Sequence, residues 1–230
     1  MSGNTRKRVL NAGAGAPDGA AIHPVFDMRD WAETRLDIEP SSRPDIVGSV
    51  VDMRSQVADG AFDALYSSHT IEHLYAHEVI PAFHEFRRVI RPDGFALLTC
   101  PNLVSAARFM LEHGAEAVAY ISPAGPIRPI DILFGHSESI AQGHHYMAHR
   151  TGFDPQRLGR IAISAGFAEV RMIEGDCFDL WALLLGPLAS IEQIRPMFAG
   201  SRLEGLCAPR SASHSTDAPA FAGAPAGAGY

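Results

Sequence analysis

Cysteine is scarce in this chain: Cys100, Cys177 and Cys207 are the only three in 230 residues, far apart and in no CxxC or other metal-ligand spacing. That argues against a disulfide scaffold or a cysteine-held zinc module and predicts free thiols in a reducing compartment, with Cys100 and Cys177 buried in apolar runs. Basic charge is in short supply too. Nineteen Lys and Arg against 26 Asp and Glu leave a net charge of −7, and beyond Arg6-Lys7-Arg8 the cations are scattered. A charge-built surface for nucleic acid or anionic membrane is therefore not expected, and small-molecule chemistry is the better expectation. No apolar run nears membrane-spanning length, the longest lying around Leu180 to Leu185. The first eight residues are polar and basic, with no room for the apolar region of a signal peptide, so the expected location is cytoplasmic.

What is present fits one well-filled α/β domain, with 47% hydrophobic and 20% charged residues. The stretch Arg8-Val9-Leu10-Asn11-Ala12-Gly13-Ala14-Gly15-Ala16-Pro17 reads as a strand that breaks at once into small residues. Such a turn lets main chain approach a bound molecule without a Cβ in the way. The third glycine of a dinucleotide loop is missing, since Asp18 stands three residues beyond Gly15.

A second strand, Thr34-Arg35-Leu36-Asp37-Ile38-Glu39-Pro40, carries Asp37 roughly 20 residues after the glycines, the spacing of a ribose-binding carboxylate. A third is expected over residues 45–53, closing on Asp52 and Met53, and a fourth over 61–69, closing on Ser67, Ser68 and His69. In an open parallel sheet, ligands bind outside the carboxyl ends of the strands, so these residues should gather along one edge. A helix follows over 76–91, with a fifth strand over 95–100 and a helical segment from 103 to about 120. Residues 122–150 follow neither period and hold His136, His144, His145 and His149 among apolar and aromatic residues, the composition of an ordered lid.

Asp154 and Pro155 open another helix. Two last strands, 167–173 and 177–185, have so short a link that they should pair antiparallel. The expected fold is a doubly wound, mostly parallel seven-stranded α/β sheet in a domain of residues 1–187. Residues 188–206 would hold one further helix, and 207–230 a low-complexity tail.

With the glycine turn, the acid-ended strands and Phe62-Asp63-Ala64-Leu65-Tyr66-Ser67-Ser68-His69-Thr70-Ile71-Glu72-His73-Leu74 in view, the chain resembles the class I S-adenosylmethionine-dependent methyltransferases. The resemblance spans residues 8–185 and is strongest to a small bacterial branch of the type 11 group, in which the first motif begins Leu-Asn and the fourth strand runs Ser-Ser-His-x-x-Glu-His-Leu. It implies S-adenosylmethionine as cofactor, with Gly13 and Gly15 by its methionine part, Asp37 on the ribose hydroxyls, Asp52 on the adenine amine, Met53 beside the ring, and Ser67, Ser68 and His69 beneath the sulfonium. Asn11 replaces the acidic residue most members carry, and Pro17 a third glycine. A small-molecule acceptor methylated at oxygen or nitrogen is implied, with His69, His145 or His149 as the base where one is needed. Two alternatives remain: a methyltransferase-like binding protein without turnover, and a zinc hydrolase using His69-Thr70-Ile71-Glu72-His73 as an inverted H-x-x-E-H motif. The latter lacks a clear third-ligand motif, so no metal is expected.

Overall fold

A computed structural model describes residues 6–16 and 22–209. The apolar run at the N-terminus forms β1 (Lys7–Ala12), followed by β2 (Trp31–Asp37), β3 (Ile46–Val47), β4 (Phe62–Ser68), α1 (Val79–Val89), β5 (Ile90–Pro101) and α2 (Leu103–His113). A small hairpin comes next, β6 (Tyr120–Ser122) and β7 (Gly125–Ile127), then α3 (Pro129–Phe134) and α4 (Ser137–Ala141). The chain ends in α5 (Pro155–Ser164), β8 (Glu169–Glu174), β9 (Asp179–Leu185) and α6 (Ile191–Phe198).

Seven strands form one sheet in the order β3-β2-β1-β4-β5-β9-β8. The first four pairings are parallel, while β9 runs antiparallel to both β5 and β8, as the short link between the last two strands requires. Strand order reverses between β1 and β4, the position at whose carboxyl ends open α/β sheets bind their ligands.

Each face of the sheet has its own core. On one, Phe83 and Phe86 of α1 and Leu158 and Ala162 of α5 pack against Leu10, Leu65 and Leu98. Helix α5 starts where Asp154 accepts from Arg157 N at 2.7 Å, with Pro155 at its first position. The other face is covered by irregular chain rather than a long helix: Ile22, Val25 and Phe26, then Ile194 and Phe198 of α6, and Leu203, Leu206 and Cys207.

Four details differ from the sequence reading. The expected third strand over 45–53 shrinks to two residues: after Gly48 N makes its bond to Asp37 O (2.9 Å), the Ser49 hydroxyl accepts from Val51 N (3.2 Å) and Ser49 bridges to Asp52, a local turn in place of further ladder. Helix α2 stops at His113 rather than near 120, where Gly114 at φ 90° donates to Met110 O. Cys177 is exposed in the turn before β9, whereas Cys100 and Cys207 are buried. Cys207, placed at the start of the tail, closes a short 3-10 turn (Glu204–Cys207) in the second core; the low-complexity sequence from 210, like Pro17, lies outside the described residues.

Candidate active site

The loop leaving β1 is held from three sides. Gly13 sits at φ 77°, where a Cβ would collide with the Thr70 side chain, and Gly15 sits at φ 61°. The Gly15 amide donates to Asp37 Oδ2 at 2.7 Å, and its carbonyl accepts from Arg35 Nη2 at 2.5 Å. Asp37, buried at the end of β2, also receives Glu39 N on Oδ1 at 2.8 Å. Among the described residues each of its oxygens thus accepts one hydrogen bond, which leaves it a second lone pair.

Around this loop the other sequence candidates separate. Asn11 is buried and donates to Glu33 Oε1 at 2.7 Å on the neighbouring strand. Ser67 is buried and donates to Ala12 O at 2.8 Å, fastening the ends of β1 and β4. Ser68 reaches the cavity described below. The Asp52 side chain is 64% exposed beside Arg54, in a turn rather than at a strand end. Met53 must be corrected: it is fully buried in the main core, its amide donating to Glu85 Oε2 at 2.6 Å, so it presents no surface to a ring. The apolar surface near Asp37 is instead Ile38, 53% exposed.

His69 ends β4 at φ 49°, a left-handed turn that histidine tolerates better than most side chains, with its amide held by Thr99 O at 2.9 Å. Its Nδ1–H donates to Glu72 Oε1 at 3.1 Å. The surrounding protein disfavours the charged ring, but the hydrogen bond and charge of Glu72, with Asp179 beyond, outweigh this and raise its pKa. For Glu72, burial works the other way, and His69 and then His73 hold the carboxyl below its ordinary value. The outcome is a carboxylate–imidazole pair with His69 Nε2 free to take a proton.

His69 lines two cavities. One, of about 320 Å³, lies at the ends of β4, β5 and β9 among Tyr66, Ser68, Thr99, Asp179, Trp181 and Arg202. The second, of about 150 Å³, is bounded by Glu72, His73 and Phe178 and by residues of the 120–149 segment, including His149. His149 donates from Nδ1 to Ile132 O at 2.9 Å, and burial lowers its pKa. His145 is exposed and lines neither. Among the residues missed from sequence, Thr99 carried a signal, a hydroxyl in the otherwise apolar run 95–100; it is buried with no partner on Oγ1 among the described residues. Arg202 carried none.

The sequence model of a methyltransferase domain family matches residues 7–98, from β1 to within β5. No curated protein matches. Among solved structures, a protein from Pyrococcus horikoshii OT3 is 15% identical with a TM-score of 0.53, over 79% of this chain and 82% of that one. A SAM dependent methyltransferase from Archaeoglobus fulgidus is 13% identical with a TM-score of 0.50, over 79% and 87%. The fold is the methyltransferase fold. The CMeT domain of the citrinin polyketide synthase shares it at 16% identity and a TM-score of 0.51, over 81% of this chain; the alignment spans about half, 48%, of that longer chain. In this methyltransferase fold the glycine loop, Asp37 and His69 all lie where β1, β2 and β4 end. Among the described residues no helix is long and apolar enough to cross a membrane.

Proposed function

We propose that the chain is an S-adenosylmethionine-dependent methyltransferase that acts on a small-molecule acceptor at oxygen or nitrogen. The observation that carries this reading is the loop from Gly13 to Gly15, closed by Asp37 at the switch point of the sheet. The residues fit an adenosyl cofactor on two counts. A Cβ added to Gly15 meets nothing within 4 Å among the described residues, and Asp37 has, against those residues, a lone pair left on each oxygen for a vicinal diol. Ile38 offers the nearby apolar surface for the adenine, and the exposed Asp52 an acceptor for its amine.

Bound there, the cofactor supplies an electrophilic methyl group on a sulfonium. The chain's own task is to bring an acceptor in line with it and exclude water, mainly by positioning. The larger cavity, with Ser68 and His69 on its wall, is the chamber we assign to this meeting. His69 Nε2 takes the proton from a hydroxyl or ammonium acceptor, and Glu72 keeps the ring in that tautomer and compensates its charge. A cytoplasmic location and the type 11 branch belong to the same reading.

Titration calorimetry with S-adenosylmethionine and its demethylated product tests it. We expect both to bind, and Asp37→Ala to weaken binding about 10–100-fold, the loss of one to two charge-assisted hydrogen bonds. No binding of either by the wild-type chain overturns the reading; unchanged affinity in the variant removes Asp37 from the ribose.

A further inference from the structure

We infer that Glu72, His73 and His149 bind a divalent transition-metal ion. One ligand atom from each lies within 4.8 Å of those of the other two. An ion with ligands at about 2.1 Å in tetrahedral arrangement holds them about 3.4 Å apart, so small side-chain rotations close the set.

Three features distinguish this cluster from a chance meeting of polar groups. Both imidazoles are oriented by main-chain acceptors: His73 Nδ1–H donates to Ala148 O at 3.1 Å and His149 Nδ1–H to Ile132 O at 2.9 Å. That fixes the tautomer with a lone pair on Nε2, the arrangement found in metal-binding histidines. Glu72 is fully buried, and while Oε1 accepts from His69, Oε2 has no hydrogen-bond partner among the described residues. A buried anionic oxygen left bare is costly, and neither neighbouring ring has an Nδ1 proton to spare for it. The two backbone segments are also laced together. Arg150 N and Thr151 N donate to Glu72 O at 2.8 and 3.2 Å, and Arg150 Nη1 donates to His73 O at 3.0 Å.

Two neutral imidazoles and one carboxylate suit zinc, cobalt or ferrous iron; magnesium and calcium prefer all-oxygen shells. Three protein ligands leave a coordination position open, and all three residues line the smaller cavity, whose wall includes Ile127, Ile132, Met147 and Phe178. The site would therefore take, at that position, water or the oxygen or nitrogen donor of a small molecule with an apolar body. His69 is not in the ligand set. Its ring holds the other oxygen of Glu72, so the H-x-x-E-H spacing misidentifies the ligands and the third comes from far downstream.

The test uses the full chain, stripped with a chelator and titrated with Co²⁺ without cofactor. We expect one equivalent to bind, with the visible absorption of four- or five-coordinate cobalt, and Zn²⁺ to displace it. His149→Ala should weaken binding by tenfold or more, while a chain carrying both His144→Ala and His145→Ala binds as the wild type does. Circular dichroism checks that the variants fold, and should Glu72→Gln fail to fold, His149→Ala still decides. Absence of stoichiometric binding, unchanged affinity in His149→Ala, or loss of binding in the His144/His145 variant overturns the proposal. Asp37→Ala is expected to bind cobalt normally, so failure of the cofactor reading and failure of the metal site remain distinguishable.

Discussion

Buried carboxylates tie distant parts of this chain together, and Glu85 on α1 shows how much one of them does. It receives Arg88 in a fork, Nε on Oε1 and Nη2 on Oε2, each at 2.7 Å, and also the Met53 amide. The Arg88 hydrogen bonds, opposed by burial and helped by the Met53 amide, hold its pKa below the ordinary value of 4.5. A folded-state pKa below the unfolded one means stability that is complete above the unfolded value and lost as pH falls through the folded one. Glu85→Gln is therefore expected to cost about 2 kcal/mol at pH 7, as for hydrogen bonds to a charged group, and progressively less below pH ~4.5. Urea unfolding at a series of pH values checks this, and a penalty independent of pH would refute it. Asp37 was legible because spacing from a glycine turn is a sequence property. Met53 was not, since its burial follows from an amide captured by a residue 32 positions away.

At the scale of elements, what could be read was what repeats. The apolar run of β1, the helical period of α1, the Asp154-Pro155 start of α5 and the short link before β9 all belong to local sequence. Strand β3 was over-read because β-branched residues fit an extended chain equally well inside or outside a ladder, and the turn from Ser49 to Asp52 ended the pairing. The segment after α2 has no single period because it is built of pieces: a hairpin, two short helices and a 3-10 turn (His145–Met147). Gly135 joins two of them. It sits at φ 96°, where a Cβ would collide with Met147 O, and its neighbour His149 N donates to Phe134 O at 3.1 Å. Gly135→Ala should push residues 145–149 off α3, costing more than the ~1 kcal/mol of an ordinary glycine replacement. Limited proteolysis would show new cleavage between 136 and 149 while the remainder resists; an unchanged digestion pattern would count against it.

For the molecule as a whole, the second face of the sheet matters more than its sequence suggested. Residues 188–209 look like an appendage to a finished sheet, yet Phe198, Leu203, Leu206 and Cys207 complete the core over β4, β5 and β9. Main-chain carbonyls bind this segment down to β8, where Arg171 Nη1 donates to Ala208 O at 2.7 Å, while Arg195 Nε donates to Cys207 O at 3.1 Å within the segment. It also brings Arg202 over Trp181, into the wall of the larger cavity. Both tryptophans of the chain, Trp31 and Trp181, lie in this second core, whereas α1 and α5 lie on the opposite face. Tryptophan fluorescence therefore reports one face, whereas far-ultraviolet circular dichroism draws on helices throughout the fold, α1 and α5 of the other face among them. Because one sheet supplies the floor of both cores, neither can be lost without exposing strands that the other needs. Phe198→Ala, which empties a fully buried site, should cost about 3–5 kcal/mol, and the two signals should move together to the same lower urea midpoint. A fluorescence transition that shifts while the dichroism transition stays would mean the C-terminal segment folds as a separate unit on a sheet already stable without it.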